Sequence, residues 1–237
     1  MADVAHPTFA GLKSLDYEEA YYEEHVAGGL DYLGHGYWQE SYGHLVSEAT
    51  LQADYEDPMM LDAGCAAGSI LTGFKKTGVY KSVKGVDLSN HMIKLGRKHF
   101  SMSDEEMVAG SIAELPIESG SLSLVHSAQV LEHIPTELMD QIMSEFVRVL
   151  RPGGRLFLCL DAIRKGETKE MYMGDPTHVN IQPVMYWTKM LQQKGLLFDI
   201  EAYNAFVRSR RGPTKGVEAS FFETYPYWSA WTLIKPV

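Results

Sequence analysis

From Pro58 onward the chain sets short apolar runs against longer stretches in which apolar residues return every three or four positions. The runs "MMLDA" (59–63), "SVKGVD" (82–87), "EMVAG" (106–110), "SLSLVH" (121–126) and "RLFLCL" (155–160) predict strands, and runs this continuous belong to strands covered on both faces. Between them, "SILTGFKKTG" predicts a helix with Ile70, Leu71 and Phe74 inward and Gly78 past its end. "SNHMIKLGRKHF" predicts a second helix. "TELMDQIMSEFVRVL" predicts a third, with Leu138, Ile142, Phe146 and Val149 on one face and Met139, Met143 and Leu150 beside them. Arg151-Pro152-Gly153-Gly154 stops that helix. Strands alternating with amphipathic helices mean a mostly parallel, doubly wound α/β sheet. The last third reads differently: "PVMYWTKMLQQKG" is a helix ended by Gly195, "LFDIEAYNAF" a strand, and "YWSAWTLIKP" a terminal strand, the last two pairing antiparallel at one side of the sheet.

The first fifty residues interleave tyrosines and histidines with carboxylates and glycines. They predict a short helix, a glycine-rich loop around Gly28 to Gly36, and a second helix leading to Gln52. "RSRRGPTKG" (208–216) reads as an exposed loop joining the final strands. With 237 residues and no internal repeat, one domain is expected. The formal net charge of -10 argues against a general nucleic-acid binder, since phosphate affinity comes mainly from concentrated Lys and Arg. No stretch approaches the roughly 18 apolar residues of a membrane span. The opening "MADVAHPTFAG" lacks a basic segment followed by an apolar run, and the two cysteines, Cys65 and Cys159, sit in or beside apolar strand-like runs. A reduced, cytoplasmic chain with two buried thiols is the expectation.

The candidate chemistry starts where the first strand ends. Asp62 is followed by Gly64, Cys65, Ala66, Ala67 and Gly68, and then a helix begins. In such sheets ligands lie beyond the carboxyl ends of the strands, where small residues allow close backbone approach. The next strand ends in Asp87, a carboxylate able to accept both hydroxyls of a ribose. A nicotinamide-binding domain would use the same two features, so the turn and Asp87 alone leave the cofactor open.

Further motifs separate the readings. "AGSIAELPIESGSLSLVHSAQVLEHIP" and "VRVLRPGGRLFLCL", taken with the glycine turn, resemble the class I S-adenosylmethionine-dependent methyltransferases, particularly their small-molecule branch. The resemblance covers residues 55 to 161. It implies a Rossmann-like, seven-stranded, mostly parallel sheet with an antiparallel C-terminal strand and helices on both faces. It also implies one domain over 1–237, with 1–50 as a helical cap and 162–183 as a substrate-facing insertion. The implied cofactor is S-adenosylmethionine. Asp62, Gly64, Cys65, Ala66 and Gly68 fall on the glycine motif, with Ala66 in place of its middle glycine; binding is expected to survive this if no positive φ is needed there. Asp87 would hold the ribose, Leu88 and Met92 would face the adenine, and Ser111 and Ile112 fall where the family binds the adenine amine. Ser111 replaces the usual acid, and Ser123 stands where an aspartate is common. Ser127 would line the cofactor side of the cleft, with His126 and Gln129 on the substrate side. His133 is expected to serve the start of the following helix.

Methyl transfer from a sulfonium is an in-line displacement, so the protein must align the partners and, where the nucleophile requires it, remove a proton. The segment "MYMGDPTHVNIQP" (171–183) carries Asp175, His178 and Asn180 within six residues. His178 as a base oriented by Asp175, with Asn180 contacting substrate, is one reading; a polar turn held by its own hydrogen bonds is the other. Tyr21, Tyr22 and Tyr37 are candidates for an aromatic wall of the acceptor pocket. No H-E-x-x-H or cysteine pairing is present, so no metal is expected. The function this supports is methylation of an O or N atom of a small polar metabolite, with no nucleic-acid or membrane partner. A protein or peptide acceptor, and a catalytically silent cofactor-binding domain, are the alternatives.

Overall fold

The computed structural model describes residues 32–33, 36–50, 56–175, 177–208 and 228–237. The expected first helix, most of the glycine-rich loop and the 209–216 loop lie outside the described residues. Helix α1 spans Gly36–Thr50. Then follow β1 (Met59–Ala63), α2 (Ser69–Lys76), β2 (Ser82–Asp87), α3 (Asn90–Phe100), β3 (Met107–Ala109) and β4 (Leu122–Ala128). The chain continues through α4 (Met139–Val149), β5 (Leu150–Asp161), α5 (Val184–Gln193), β6 (Leu197–Phe198), α6 (Ile200–Arg208) and β7 (Trp228–Ile234). The seven strands form one sheet in the order β3-β2-β1-β4-β5-β7-β6. The first five run parallel, and β7 inserts antiparallel between β5 and β6. The strand order reverses between β1 and β4, which fixes the crevice of a doubly wound sheet at their carboxyl ends.

The period-two geometry of the strands sends alternate residues to opposite faces. Leu61, Val125, Leu156 and Leu158 join Met139, Ile142, Met143 and Phe146 of α4 and Trp187 and Leu191 of α5 in one buried layer. Met60, Leu124, Phe157 and Cys159 join Tyr42, Leu45 and Val46 of α1, Leu71 and Phe74 of α2 and Phe206 of α6 in the other. Both thiols are buried, and burial raises each well above the ordinary thiol range. Among the described residues, no helix is long and apolar enough to cross a membrane.

One expected element is replaced. "LFDIEAYNAF" alternates like a strand through Phe198, Ile200 and Ala202, but pairing stops after Phe198 and helix α6 begins at Ile200. Asp199 makes the switch: its Oδ1 accepts the Ala202 amide at 2.8 Å as an N-cap, and its Oδ2 receives Arg155 Nε at 2.6 Å. Ala202 and Phe206, four apart, are the residues of α6 that become buried, so a helical period underlies the apparent alternation.

Candidate active site

The glycine turn is shaped by backbone geometry. Gly64 and Gly68 have φ of +82° and +80°, a region that favours glycine. A Cβ at Gly64 would lie 2.3 Å from a methyl of Val130, so the end of β1 and the segment leaving β4 meet across a gap only glycine fits. The Gly64 and Cys65 amides both donate to the Val86 carbonyl, at 2.8 and 3.2 Å. Ala66 also takes a positive φ, +46°. The position where the middle glycine is replaced therefore does demand left-handed backbone, against the condition set from sequence. Its amide donates to Asp87 Oδ2 at 2.8 Å, while Asp87 Oδ1 accepts the Ser89 amide at 2.9 Å. Asp87 thus ties the turn to the start of α3.

The flanking residues are mostly supports. Met92 is buried with Ala67 and packs against Leu95 and Phe100, so it underlies the turn rather than lining the cleft; Leu88 is half-buried. The Cys65 side chain points into the core near Gly85, where a Cβ would come within 2.7 Å of its sulfur, leaving only its backbone at the turn. Ile112 is buried, and half-buried Ser111 Oγ accepts the Ala113 amide at 3.1 Å. Ser123 accepts the Met59 amide at 3.3 Å. That contact lies at the starts of β4 and β1, the end of the sheet away from the turn, so Ser123 carries no information about the site.

Several expected contacts are redirected into the fold. Asp62 Oδ1 lies 2.7 Å from His126 Nδ1, and His126 Nε2 lies 3.0 Å from the Tyr42 hydroxyl. The His126 ring is fully buried and stacks on Phe157 at 5.8 Å. Even-numbered side chains of β1 and β4 face α1 and α2, so Asp62 and His126 form a buried polar chain there and do not reach the crevice. Ser127 is buried and donates to the Ala63 carbonyl at 2.8 Å, so its hydroxyl is spent on β1. Asn180 is fully buried; its amide donates to the Leu131 carbonyl at 3.2 Å, and its Oδ1 accepts Thr136 Oγ1 at 3.0 Å. It fastens the 164–182 excursion to the turn after β4 and is not a substrate contact. Tyr21 and Tyr22, and the side chain of Tyr37, lie outside the described residues.

The carboxyl ends of β4 and β5 hold the second part of the site. Gln129 takes φ +56°, and its buried Nε2 has no partner. Strain and an unpaired polar atom together mark a position shaped by something other than packing. The next turn carries Glu132, fully buried, with Oε1 accepting the Asp161 amide at 3.3 Å and Oε2 unpartnered. Burial, reinforced by the Asp161 charge and opposed by backbone N–H groups, pushes Glu132 up to about 8. Asp161 is also raised by burial, with the His178 and Arg164 charges opposing, and its Oδ1 is buried without a partner. His133 and His178 meet edge to face with ring centroids 4.8 Å apart.

Asp175 does not orient His178. Its Oδ1 accepts both the amide and the hydroxyl of Thr177, at 2.8 and 2.6 Å. His178 Nδ1 instead lies 2.6 Å from the Tyr172 carbonyl. A carbonyl only accepts, so Nδ1 carries the proton and Nε2 of the neutral ring holds the lone pair. Sequence reasoning missed Glu132 and Tyr172. The available signal was a carboxylate between Leu131 and Ile134, both apolar and both buried, directly after a buried strand.

Residues 61–158 match a family model described as a methyltransferase domain. The chain is 34% identical over 103 residues to a demethylmenaquinone methyltransferase of Staphylococcus aureus, covering 43% of this chain and 42% of that one. It is 28% identical over 116 residues to a sterol 4-C-methyltransferase of Caenorhabditis elegans, covering 47% and 33%. The chain thus spans less than half the length of these curated relatives. Among solved structures, a geranyl diphosphate C-methyltransferase of Streptomyces coelicolor A3(2), in a complex containing S-adenosyl-L-homocysteine, superposes with a TM-score of 0.60 at 16% identity, over 82% of this chain and 75% of that one. At that identity the likeness is one of fold.

Proposed function

We propose that the chain, whose residues 61–158 match a methyltransferase-domain model, is a class I S-adenosylmethionine-dependent methyltransferase that transfers a methyl group to an oxygen or nitrogen of a small polar molecule. The observation that carries this reading is the pair of differently built places at one sheet edge. The glycine turn and Asp87 stand at β1 and β2, suited to an adenosine. Glu132, His133, Asp161 and His178 gather at the ends of β4 and β5. With strands about 4.8 Å apart, Asp87 on β2 and the turn after β4 are separated by roughly 10 Å. A cofactor whose ribose rests on Asp87 would then present its sulfonium toward the second cluster.

When bound, S-adenosylmethionine supplies an electrophilic methyl and a thioether leaving group. The protein's part is to hold the acceptor in line and to receive its proton. His178 suits that task, because Tyr172 fixes its Nδ1–H and leaves Nε2 as the basic atom. An acceptor hydroxyl or ammonium would also suit the bare oxygens of Glu132 and Asp161. These unpaired polar oxygens favour O- or N-methylation, although two relatives are named as C-methyltransferases.

Methyl-labelled S-adenosylmethionine incubated with panels of small hydroxyl and amine compounds tests the reading. Label should pass to a small molecule, and His178→Ala should lower kcat by about 10²-fold or more with cofactor affinity retained. Transfer only to peptides would move the acceptor class. Cofactor binding without transfer to any acceptor would leave a binding domain.

A further inference from the structure

The structure assigns a divalent first-row metal site to Glu132, His133 and His178. One ring nitrogen of each histidine and one carboxylate oxygen of Glu132 all lie within 4.8 Å of one another. The hydrogen bonds around them show what these atoms offer. Tyr172 holds the Nδ1–H of His178. On the other side, Asp175 only accepts, so the 2.6 Å contact from Thr177 makes the Thr177 hydroxyl the donor. Its oxygen then accepts from His133 Nδ1 at 2.7 Å. Both neutral histidines therefore carry their lone pair on Nε2. Backbone carbonyl and hydroxyl partners on the far nitrogen are what orient a ligating imidazole in metal sites.

The second observation is Glu132 itself. Its side chain is fully buried, and Oε2 has no hydrogen-bond partner, whereas Oε1 is anchored by the Asp161 amide. An uncompensated oxygen in the interior is costly, and a cation shared with two imidazole nitrogens is the partner that satisfies all three at once. Two imidazoles and a carboxylate form a donor set for zinc and its first-row neighbours, because magnesium and calcium favour all-oxygen shells. Donors bound at 2.0–2.2 Å in a tetrahedral shell lie about 3.4 Å apart, so closure from the observed spacing is at most about 1.4 Å. Three protein ligands leave a fourth tetrahedral position open. The proposal departs from the expectation of a site without metal.

The site stands on these donors and not on the reaction. Its consequence for catalysis does rest on the methyltransferase reading. An acceptor oxygen at the open position would lose its proton more readily when coordinated, so His178 would act as a ligand in the metal-loaded chain and as the base only in the metal-free one.

Cobalt(II) added to the chelator-treated chain tests the site through its visible absorption, alongside calorimetry with zinc(II). One ion per chain with tetrahedral-type absorption is expected. Glu132→Gln and His178→Ala should each weaken binding 10- to 100-fold, while His99→Ala, an exposed histidine on α3, leaves it unchanged. Melting curves and S-adenosylhomocysteine titration of the metal-free variants show that the fold and the Asp87 side persist. No stoichiometric binding by the wild type, or binding that survives both substitutions, overturns the site. S-adenosylhomocysteine binding in the same sample keeps that failure distinct from a failure of the methyltransferase reading.

Discussion

Gly96→Ala sets helix propensity against tertiary packing. Alanine is favoured over glycine in a helix interior by about 1 kcal/mol, so propensity alone makes the substitution stabilising. In the structure, a Cβ at Gly96 would stand 2.0 Å from the carbonyl oxygen of Ala67, 2.6 Å from its carbonyl carbon and 3.0 Å from its Cα. Every one of those atoms is backbone, so no side chain can rotate away. Helix α3 must retreat from the glycine turn by about 1 Å, loosening Met92 and Ile93, both buried beneath it. Overpacking of this kind costs about 1–3 kcal/mol, and the backbone-on-backbone geometry belongs at the upper end. Offsetting the propensity gain leaves a net loss of about 2 kcal/mol, or a fall in Tm of about 4–8 °C for a chain this long. Urea unfolding and thermal melts measure it, with Lys98→Ala on the exposed face of α3 as a control expected within about 0.5 kcal/mol of wild type. Calorimetry with S-adenosylhomocysteine should show weaker binding, because the displaced turn is the one that carries the Asp87–Ala66 contact. A Gly96→Ala chain as stable as wild type, with unchanged affinity, would refute the claim that this helix positions the turn.

Three other outcomes follow from particular contacts. Ala66→Gly relieves a left-handed alanine and should raise stability by up to about 1 kcal/mol in urea unfolding; a loss would mean that the turn gains from alanine's restricted unfolded state. Asp199→Ala leaves Arg155 buried without its partner carboxylate and removes the cap of α6, and should cost about 3–5 kcal/mol in thermal melts; a cost below about 1 kcal/mol would show the ion pair to be incidental. In the metal-free chain, Glu132 holds its proton when folded up to about pH 8 and when unfolded only to about 4.5. Between those values the folded state binds more protons, so this group's contribution to stability falls as pH rises through the window, facing Asp161, Cys159, His133 and His178. Unfolding measured from pH 5 to 8 should show that slope flattened in Glu132→Gln.

The sheet was legible because strands buried on both faces leave runs that little else in a soluble chain produces. "MMLDA", "SVKGVD" and "RLFLCL" each fell on a strand. The glycine turn was legible because small residues directly after a buried strand signal the left-handed backbone that Gly64 and Gly68 adopt. What remained hidden depended on direction. Asp62 and His126 sit on strands that end at the crevice, yet strand parity turns both toward α1, whose Tyr42 lies 20 residues before Asp62 and 84 before His126, and that parity is not written locally. Asn180 and Asp175 look like site residues in a polar loop but are the bonds that shape it. Glu132 was passed over because its burial comes from β5 and from the excursion folded back over it, both distant in sequence. The strand expected at 197–206 failed where one residue, Asp199, acts as helix cap and partner of Arg155 at once.

The central claim is that this sheet edge holds S-adenosylmethionine through the glycine turn and Asp87. Calorimetric titration of the wild type and of Asp87→Asn with S-adenosylmethionine, S-adenosylhomocysteine and NAD tests it most directly. Micromolar binding of both sulfur compounds, weakened at least 10-fold in the variant and absent for NAD, is the expected result. A folded wild-type chain that binds neither sulfur compound, or that binds NAD in preference, would contradict it.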